Sequence, residues 1–289
     1  MRLDNSAAGE FRKCPLKYFE KRIAKFPGAE VLGIEPATAR DDLDFGSRFH
    51  ALRQQYYCRL AGKPVPPDIP LASVELEAEA QATWAAYLAH WLEEDFQLVE
   101  VEQTRVVPLF EYRREPGDEV YHRYPTRHEL VVKMDAVIRN KYGMLQVNDL
   151  KTERRSSNNN TPEHWAAKPQ ISLYVYAARV LYPHCRVSDE VLMDFVKRSS
   201  PGKQKGPEFW RDTPRRSEQQ IAGDLRDLIW VADQIETCER TGYFPRFPDA
   251  CKMSNWRCDF YDLHVNAQEA RDAILAKKFQ PATPYLDIL

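Results

Sequence analysis

The sequence predicts an α/β fold, with helices surrounding a small mixed sheet. Three observations carry this expectation. Apolar residues recur at helical spacing in three stretches before residue 95. Short runs rich in Val, Ile and Leu, parted by polar or glycine-containing turns, then occupy residues 97–151. Helical spacing returns after residue 161, on both sides of one more strand-like run.

In chain order, Asp4, Asn5 and Ser6 offer N-caps to a first helix running to about Lys25, where Phe26-Pro27-Gly28 stops it. Residues 27–40 read as a connection. A second helix begins near Asp41 and Asp42 and carries Phe45, Phe49, Leu52 and Tyr56 at helical spacing. The proline-rich KPVPPDIP is a break, and residues 71–94, rich in Ala, Glu and Leu, form a third helix. Strands follow at 97–110, 128–139 and 144–151, the last two joined by Asn140-Lys141-Tyr142-Gly143 as a hairpin turn. Residues 156–160 are a loop, 162–181 a helix, 189–197 a strand, 198–213 a loop and 215–240 a long amphipathic helix. The tail from Tyr243 shows little periodicity before a short helix at about 266–278.

Composition narrows the function. At 289 residues, 43% hydrophobic and 29% charged, this is an ordinary globular chain, long enough for one large domain or two small ones. Forty-one Lys+Arg against 43 Asp+Glu exclude a generally basic, histone-like protein but leave room for a local basic groove. No apolar run approaches the ~18 residues of a membrane span, and the first residues lack the apolar centre of a signal peptide. A cytoplasmic protein without membrane attachment is expected, in which six cysteines are free thiols or metal ligands rather than disulfides. No internal repeat points to a solenoid or propeller. There is no G-x4-G-K-[ST] motor signature, and no zinc-finger or helix-turn-helix pattern for reading a DNA sequence.

The informative segment is LVVKMDAVIRNKYGMLQVNDLKTE. With a hairpin about residues 140–143, partner numbers sum to about 282–284, so Asp135, Asp149 and Lys151 project together. The two acids then lie within ~5–8 Å. Carboxylates that close repel unless a cation sits between them, and oxygen ligands favour Mg²⁺ or Mn²⁺. Lys151 is then placed to steady an attacking water or the charge developing on a phosphate. Asp-x-Lys alone is a weak motif, and a solvated strand end is the alternative. Among fifteen lysines, however, only Lys151 has an acidic residue two positions before it. His50, in FGSRFHALRQQYY, follows Gly46, which would allow close packing against the sheet. Gln170 and Tyr174 lie one turn apart on a helix. By themselves these three read as packing residues.

Together the segments resemble the RecB-like branch of the PD-(D/E)XK nuclease superfamily, which includes small phage exonucleases and CRISPR-adaptation nucleases. The matching pieces occur in the family's order. They are Cys14-Pro15-Leu16-Lys17-Tyr18-Phe19, Gly46-x3-His50, Met134-Asp135-Ala136, Asp149-Leu150-Lys151-Thr152, Gln170-x3-Tyr174 and a cysteine-containing tail, spanning residues 14–264. The resemblance implies a single restriction-endonuclease-like domain over residues 1–289, with a central mixed sheet flanked by helices. Its parts would be a helical N-terminal region at 1–95, a nuclease core at 96–200 and a C-terminal helix and metal-clasp region at 214–289. It further implies that His50, Asp135, Asp149 and the backbone carbonyl of Leu150 hold Mg²⁺ or Mn²⁺, with Lys151 the catalytic lysine. Gln170 and Tyr174 would lie beside the active site and the DNA path. An imidazole ligand suits Mn²⁺ better than Mg²⁺. Glu102, in VEVEQTRVVPLF, stands where the family often has an acid on its first strand, although an exposed strand Glu is commonplace.

The reaction implied is metal-dependent hydrolysis of a DNA phosphodiester. By family analogy it is exonucleolytic, in phage or bacterial recombination, replication or repair. Since the chain carries no motor of its own, any unwinding would come from a separate helicase or recombination protein, or the substrate would have free single-stranded ends. The rival is a non-catalytic DNA-binding or assembly subunit that kept the fold. Intact His50, Asp135, Asp149 and Lys151 argue against it.

In many relatives, one N-terminal and three C-terminal cysteines bind a [4Fe–4S] cluster that clasps the chain ends. Cys14, Cys251 and Cys258 match, and His264 replaces the last. Three Cys with one His is also an ordinary zinc set, and packing of Trp256, Phe260 and Tyr261 in place of any metal is the third alternative. Cys58, Cys185 and Cys238 read as ordinary thiols. Residues 197–216 hold seven Lys/Arg and two acids. This is either a solvated loop or a phosphate-contacting one that includes Lys203 and Lys205, with Phe209 or Trp210 for base stacking. Arg154 and Arg155, just after Lys151, are nearer the scissile strand. Binding should be structure-directed and salt-sensitive.

Overall fold

Pro15 divides the helix expected over residues 4–25. In a helix interior its missing N–H and its ring would break the turn, whereas the first position of a helix accepts it, and it disfavours helical backbone at Cys14. The computed structural model describes residues 1–30, 32–37, 41–91, 94–153, 164–165, 167–198, 206–253 and 256–282. It shows β1 (Arg2–Asp4), α1 (Asn5–Lys13) and α2 (Pro15–Arg22), with Cys14 extended between the two helices. Asp4 caps α1, its Oδ1 accepting the Ala7 N–H at 2.7 Å. The connection over 27–40 contains a short strand, β2 (Ile34–Pro36). α3 (Asp41–Leu60) and α4 (Val74–His90, capped by Ser73) lie where helical spacing placed them.

Strands β3 (Gln97–Arg113), β4 (His122–Arg139) and β5 (Leu145–Glu153) are followed by α5 (Pro169–Leu181), β6 (Leu192–Lys197), β7 (Glu208–Asp212) and α6 (Glu218–Thr241). β7 corrects the loop expected over 198–213. It pairs antiparallel with β6 from Met193↔Asp212 to Lys197↔Glu208, and at five residues it is too short to stand out amid Gly, Pro and Ser. The tail holds α7 (Pro248–Cys251), the hairpin strands β8 (Lys252–Met253) and β9 (Trp256–Arg257), and α8 (Tyr261–Val265). A 3-10 turn at Gln268–Ala270, α9 (Arg271–Lys278) and β10 (Phe279–Pro281) complete it. Elements this short show no period in a sequence.

Two compact units result, one of residues 40–126 and 130–226, the other of 1–39, 127–129 and 227–289. The stretch 1–95 is thus shared between them. The six-stranded sheet runs β1-β4-β5-β6-β7, with β3 also on β4. It is mixed: β4–β5 and β6–β7 are antiparallel and β5–β6 is parallel. Helices cover both faces of β5 in the first unit. Leu150 packs with Phe45 and Phe49 of α3, while Asp149, one residue earlier and so facing the other way, meets Tyr174 of α5. Phe45, Phe49, Trp84 and Tyr87 form the aromatic core there. A Cβ on Gly46 would lie 2.9 Å from Thr152 Oγ1, so the missing side chain is what lets α3 approach β5. In the other unit β2 and β10 pair antiparallel, and Ile34, Cys258, Phe260, Leu263, Leu275 and Phe279 share one apolar cluster. Among the described residues no helix is long and apolar enough to cross a membrane.

Candidate active site

The β4–β5 hairpin adopts the register that the Asn140–Gly143 turn predicts, with Ala136 opposite Asn148 and Arg139 opposite Leu145. Before Ala136 a side chain takes over from the ladder, and Asp135 Oδ2 accepts the Leu150 N–H at 2.8 Å. Asp149 and Lys151 share a face of β5, as strand alternation requires, with Lys151 Nζ 2.6 Å from Asp149 Oδ2. Tyr174 donates its hydroxyl to Asp149 Oδ1 at 2.6 Å and accepts from Gln170 Nε2 at 2.7 Å. The helix pair therefore acts as a two-step brace on Asp149.

His50 reaches the same place from α3. Its Nδ1 lies 3.3 Å from Asp135 Oδ2 and 3.8 Å from Glu102 Oε1. His50, Glu102 and Asp135 each bring a ligand atom within 4.8 Å of the other two, a spacing at which one cation can be shared. Asp149 does not join this trio at that spacing, being engaged by Lys151 and Tyr174. Glu102, given little weight above because an exposed strand Glu is commonplace, is half-buried, with its side chain only 7% exposed. Its backbone lies in the left-handed region (φ 44°), which non-glycine residues adopt uncommonly and which interrupts the regular strand there. Nothing in VEVEQTRVV marks that twist.

Charge is finely balanced. Burial opposes ionisation of Asp135, but His50, Lys151 and Arg53 outweigh it and hold the carboxyl well below its ordinary range. Asp149 goes the other way, pushed up by its burial and by the neighbouring Asp135 charge against the pull of Lys151 and Tyr174. Burial lowers His50, yet the carboxylates of Asp135 and Glu102 raise it to about 9. Tyr174, buried beside both aspartates, is held far above its usual range and remains a donor. Neighbouring acids driven apart in this way are characteristic of reaction centres.

Three further side chains complete the surroundings. Arg53, one turn beyond His50, is buried with Nη1 3.8 Å from Asp135 Oδ2 and Nη2 3.7 Å from Asp194 Oδ2, and it donates to Asn148 Oδ1. Lys133 Nζ lies 2.9 Å from Glu102 Oε2. Lys151 Nζ also sits 5.3 Å over the Trp165 ring. The offset of three from His50 to Arg53 was legible, but arginine is usually exposed, so composition argued the other way.

A family model described as the PD-(D/E)XK nuclease superfamily matches residues 5–260. The chain belongs to the PD-(D/E)XK nuclease superfamily. Hydrolytic nuclease chemistry and a restriction-endonuclease-like mixed sheet flanked by helices come with that membership. Two solved structures are similar to this nuclease. One is a candidate exonuclease from Eubacterium rectale, with 12% identity, TM-score 0.47, and 92% of this chain and 94% of that chain covered. The other is the protein SSO0001, with 15% identity, TM-score 0.33, and 80% and 88% covered. No curated protein matches the sequence.

In this nuclease most described cations of the basic stretch are engaged in folding. Arg198 pairs with Glu79, Arg211 with Glu94 and Asp194, and Arg215 with Asp189. Arg216, buried, donates to the carbonyls of Trp165 and Lys168. Phe209 packs on Tyr87 and Trp210 stacks on Phe195, so both half-buried rings already have an aromatic partner within the fold. Arg154, Arg155, Lys203 and Lys205 lie outside the described residues.

The cysteine-rich site falls within the other unit. Cys14 precedes α2, Cys251 ends α7, and Cys258 follows β9, its N–H bonded to the Cys251 carbonyl at 2.9 Å. All three are buried free thiols. Burial, and then the other thiols, push the Cys251 thiol up. Both ring nitrogens of His264 are buried without a hydrogen-bond partner, so the imidazole has a lone pair available to a metal. Cys58, Cys185 and Cys238 are also free. A second close trio in this unit, His128, Asp233 and Glu236, is bridged by Arg127, which lies 2.7 and 2.8 Å from the two carboxylates and makes it an ion-pair network.

Proposed function

We propose that the chain is a DNA exonuclease dependent on Mg²⁺ or Mn²⁺. The observation that carries this is the convergence of His50, Glu102 and Asp135 beside the Lys151–Asp149 pair. Carboxylates with one imidazole suit these ions, the imidazole favouring Mn²⁺. His50, Glu102 and Asp135 would hold the ion, and the family resemblance adds Asp149 and the Leu150 carbonyl to the set. Once bound, it would supply a Lewis acid that activates water and offsets charge on the phosphate.

The remaining work falls to side chains. Gln170 orients Tyr174, and Tyr174 fixes Asp149. Asp149 holds the Lys151 ammonium, which is 25% exposed, at the solvent edge of the site. There it orients the attacking water and meets the charge that grows on the phosphate oxygens. Exonucleolytic action on DNA with single-stranded ends, a role in phage or bacterial recombination, replication or repair, and a separate helicase or recombination protein as partner all extend from the family resemblance.

Cys14, Cys251, Cys258 and His264 are read as ligands of a [4Fe–4S] cluster. Thiolates are the usual ligands of such clusters, and His264, buried with both ring nitrogens unpartnered, would supply the fourth group beside the three buried thiols. A brown preparation containing iron and sulfide supports this, and stoichiometric zinc in a colourless one overturns it.

The nuclease test uses end-labelled linear DNA, single- and double-stranded, beside a closed circle, with Mg²⁺ or Mn²⁺. Metal-dependent loss of linear but not circular DNA, abolished by Asp149→Ala and Lys151→Ala, is the expected result. Cleavage of circles makes the enzyme an endonuclease. No metal-dependent difference between parent and variants removes the enzymatic reading.

A further inference from the structure

Four cations surround the three acids of the site, and they differ in their freedom to move. Arg53 is 3% exposed and His50 28%. Lys151 is 25% exposed, held on Asp149 and against the Trp165 ring. Lys133 is 48% exposed, on β4 two residues before Asp135, and its ammonium rests on Glu102 Oε2. The other oxygen of Glu102 is the one facing His50. A divalent ion held by Glu102 adds a second, stronger cation to a carboxylate that already carries an ammonium. Like charges repel across so short a gap, and Lys133, on a flexible four-carbon stem and the most exposed of the four cations, is the one that leaves.

We infer that Lys133 is a switching lysine: it neutralises Glu102 while the site holds no ion, and turns to a DNA phosphate when a divalent ion takes that carboxylate. This rests on the nuclease reading above. It gives Lys133 opposite effects on two ligands, which a purely structural lysine would not have. Toward the metal it is a competitor. Toward DNA it is a contact, made only in the loaded state.

The test compares Lys133→Gln and Lys133→Arg with the parent. Mn²⁺ affinity is measured by calorimetry on the protein without DNA. Binding of a fluorescent single-stranded oligonucleotide is measured in a Lys151→Met background, which suppresses turnover, with Mn²⁺ or with EDTA. Lys133→Gln should bind Mn²⁺ about 3–10-fold more tightly and, in Mn²⁺, bind DNA about 3–10-fold more weakly, with a salt slope smaller by about one. In EDTA its DNA affinity should match that of the background, and Lys133→Arg should behave as the parent throughout. Unchanged or weaker Mn²⁺ binding in Lys133→Gln, or an equal loss of DNA affinity with and without the ion, overturns the inference. A parent that binds no Mn²⁺ overturns instead the reading on which it rests.

Discussion

The imidazole of His50 faces two carboxylates, and in the ion-free protein that neighbourhood raises it to about 9. A histidine whose folded value exceeds its unfolded ~6.5 contributes stability that is fully present below pH 6.5 and lost as pH rises through the folded value. The EDTA-treated protein should therefore lose up to about 3 kcal/mol between pH 6.5 and 9, visible as a falling urea midpoint. His50→Gln should flatten that slope, and a slope unchanged in the variant would disprove the assignment. The brace on Asp149 makes a second prediction. Tyr174→Phe removes one donor and should lower kcat about tenfold with little change in KM, whereas Lys151→Met should lower it about 10²–10³-fold. Equal losses would mean that Tyr174 does more than orient its neighbour. Asp-x-Lys and His50 were readable because their spacing matches their strand and helix. Glu102 was not, because its backbone conformation and burial are properties of the folded chain.

The contact between α3 and β5 decides whether His50 reaches Asp135. Gly46 stands where a Cβ would lie 2.9 Å from Thr152 Oγ1, and it precedes His50 by about one turn. Gly46→Val should destabilise the protein by about 1–3 kcal/mol. Adding Thr152→Ala should recover part of that loss, measured by urea unfolding of the single and double variants. Strictly additive effects would show that the two positions do not meet. The helices over 41–60 and 74–90 and the β4–β5 register were legible because period and turn chemistry are local. The division at Pro15 was legible too, since proline forbids the continuous helix read over it. β7 escaped because its identity as a strand comes from pairing with β6.

Across the whole nuclease unit, a buried charge network ties α3 to three strands. Arg53 joins Asp135 of β4, Asn148 of β5 and Asp194 of β6, and Asp194 also meets Tyr87 and Arg211. Removing one partner of a buried pair leaves an uncompensated charge, so Arg53→Met should cost about 3–5 kcal/mol. Arg53→Met with Asp194→Asn should be more stable than Arg53→Met alone, since the stranded carboxylate goes with its partner. A double variant no better than the single would show that Arg53 answers chiefly to Asp135.

Local chemistry in the chain determined the alternation of helices and strands, the hairpin register and the pairing of Asp149 with Lys151. Each depends on neighbours within a turn or a strand. Only the tertiary structure decided which basic residues are engaged in internal ion pairs, that Glu102 enters the site, and that Arg53 stands behind Asp135. Those outcomes depend on which distant segments exclude water from one another, and no residue carries that information alone.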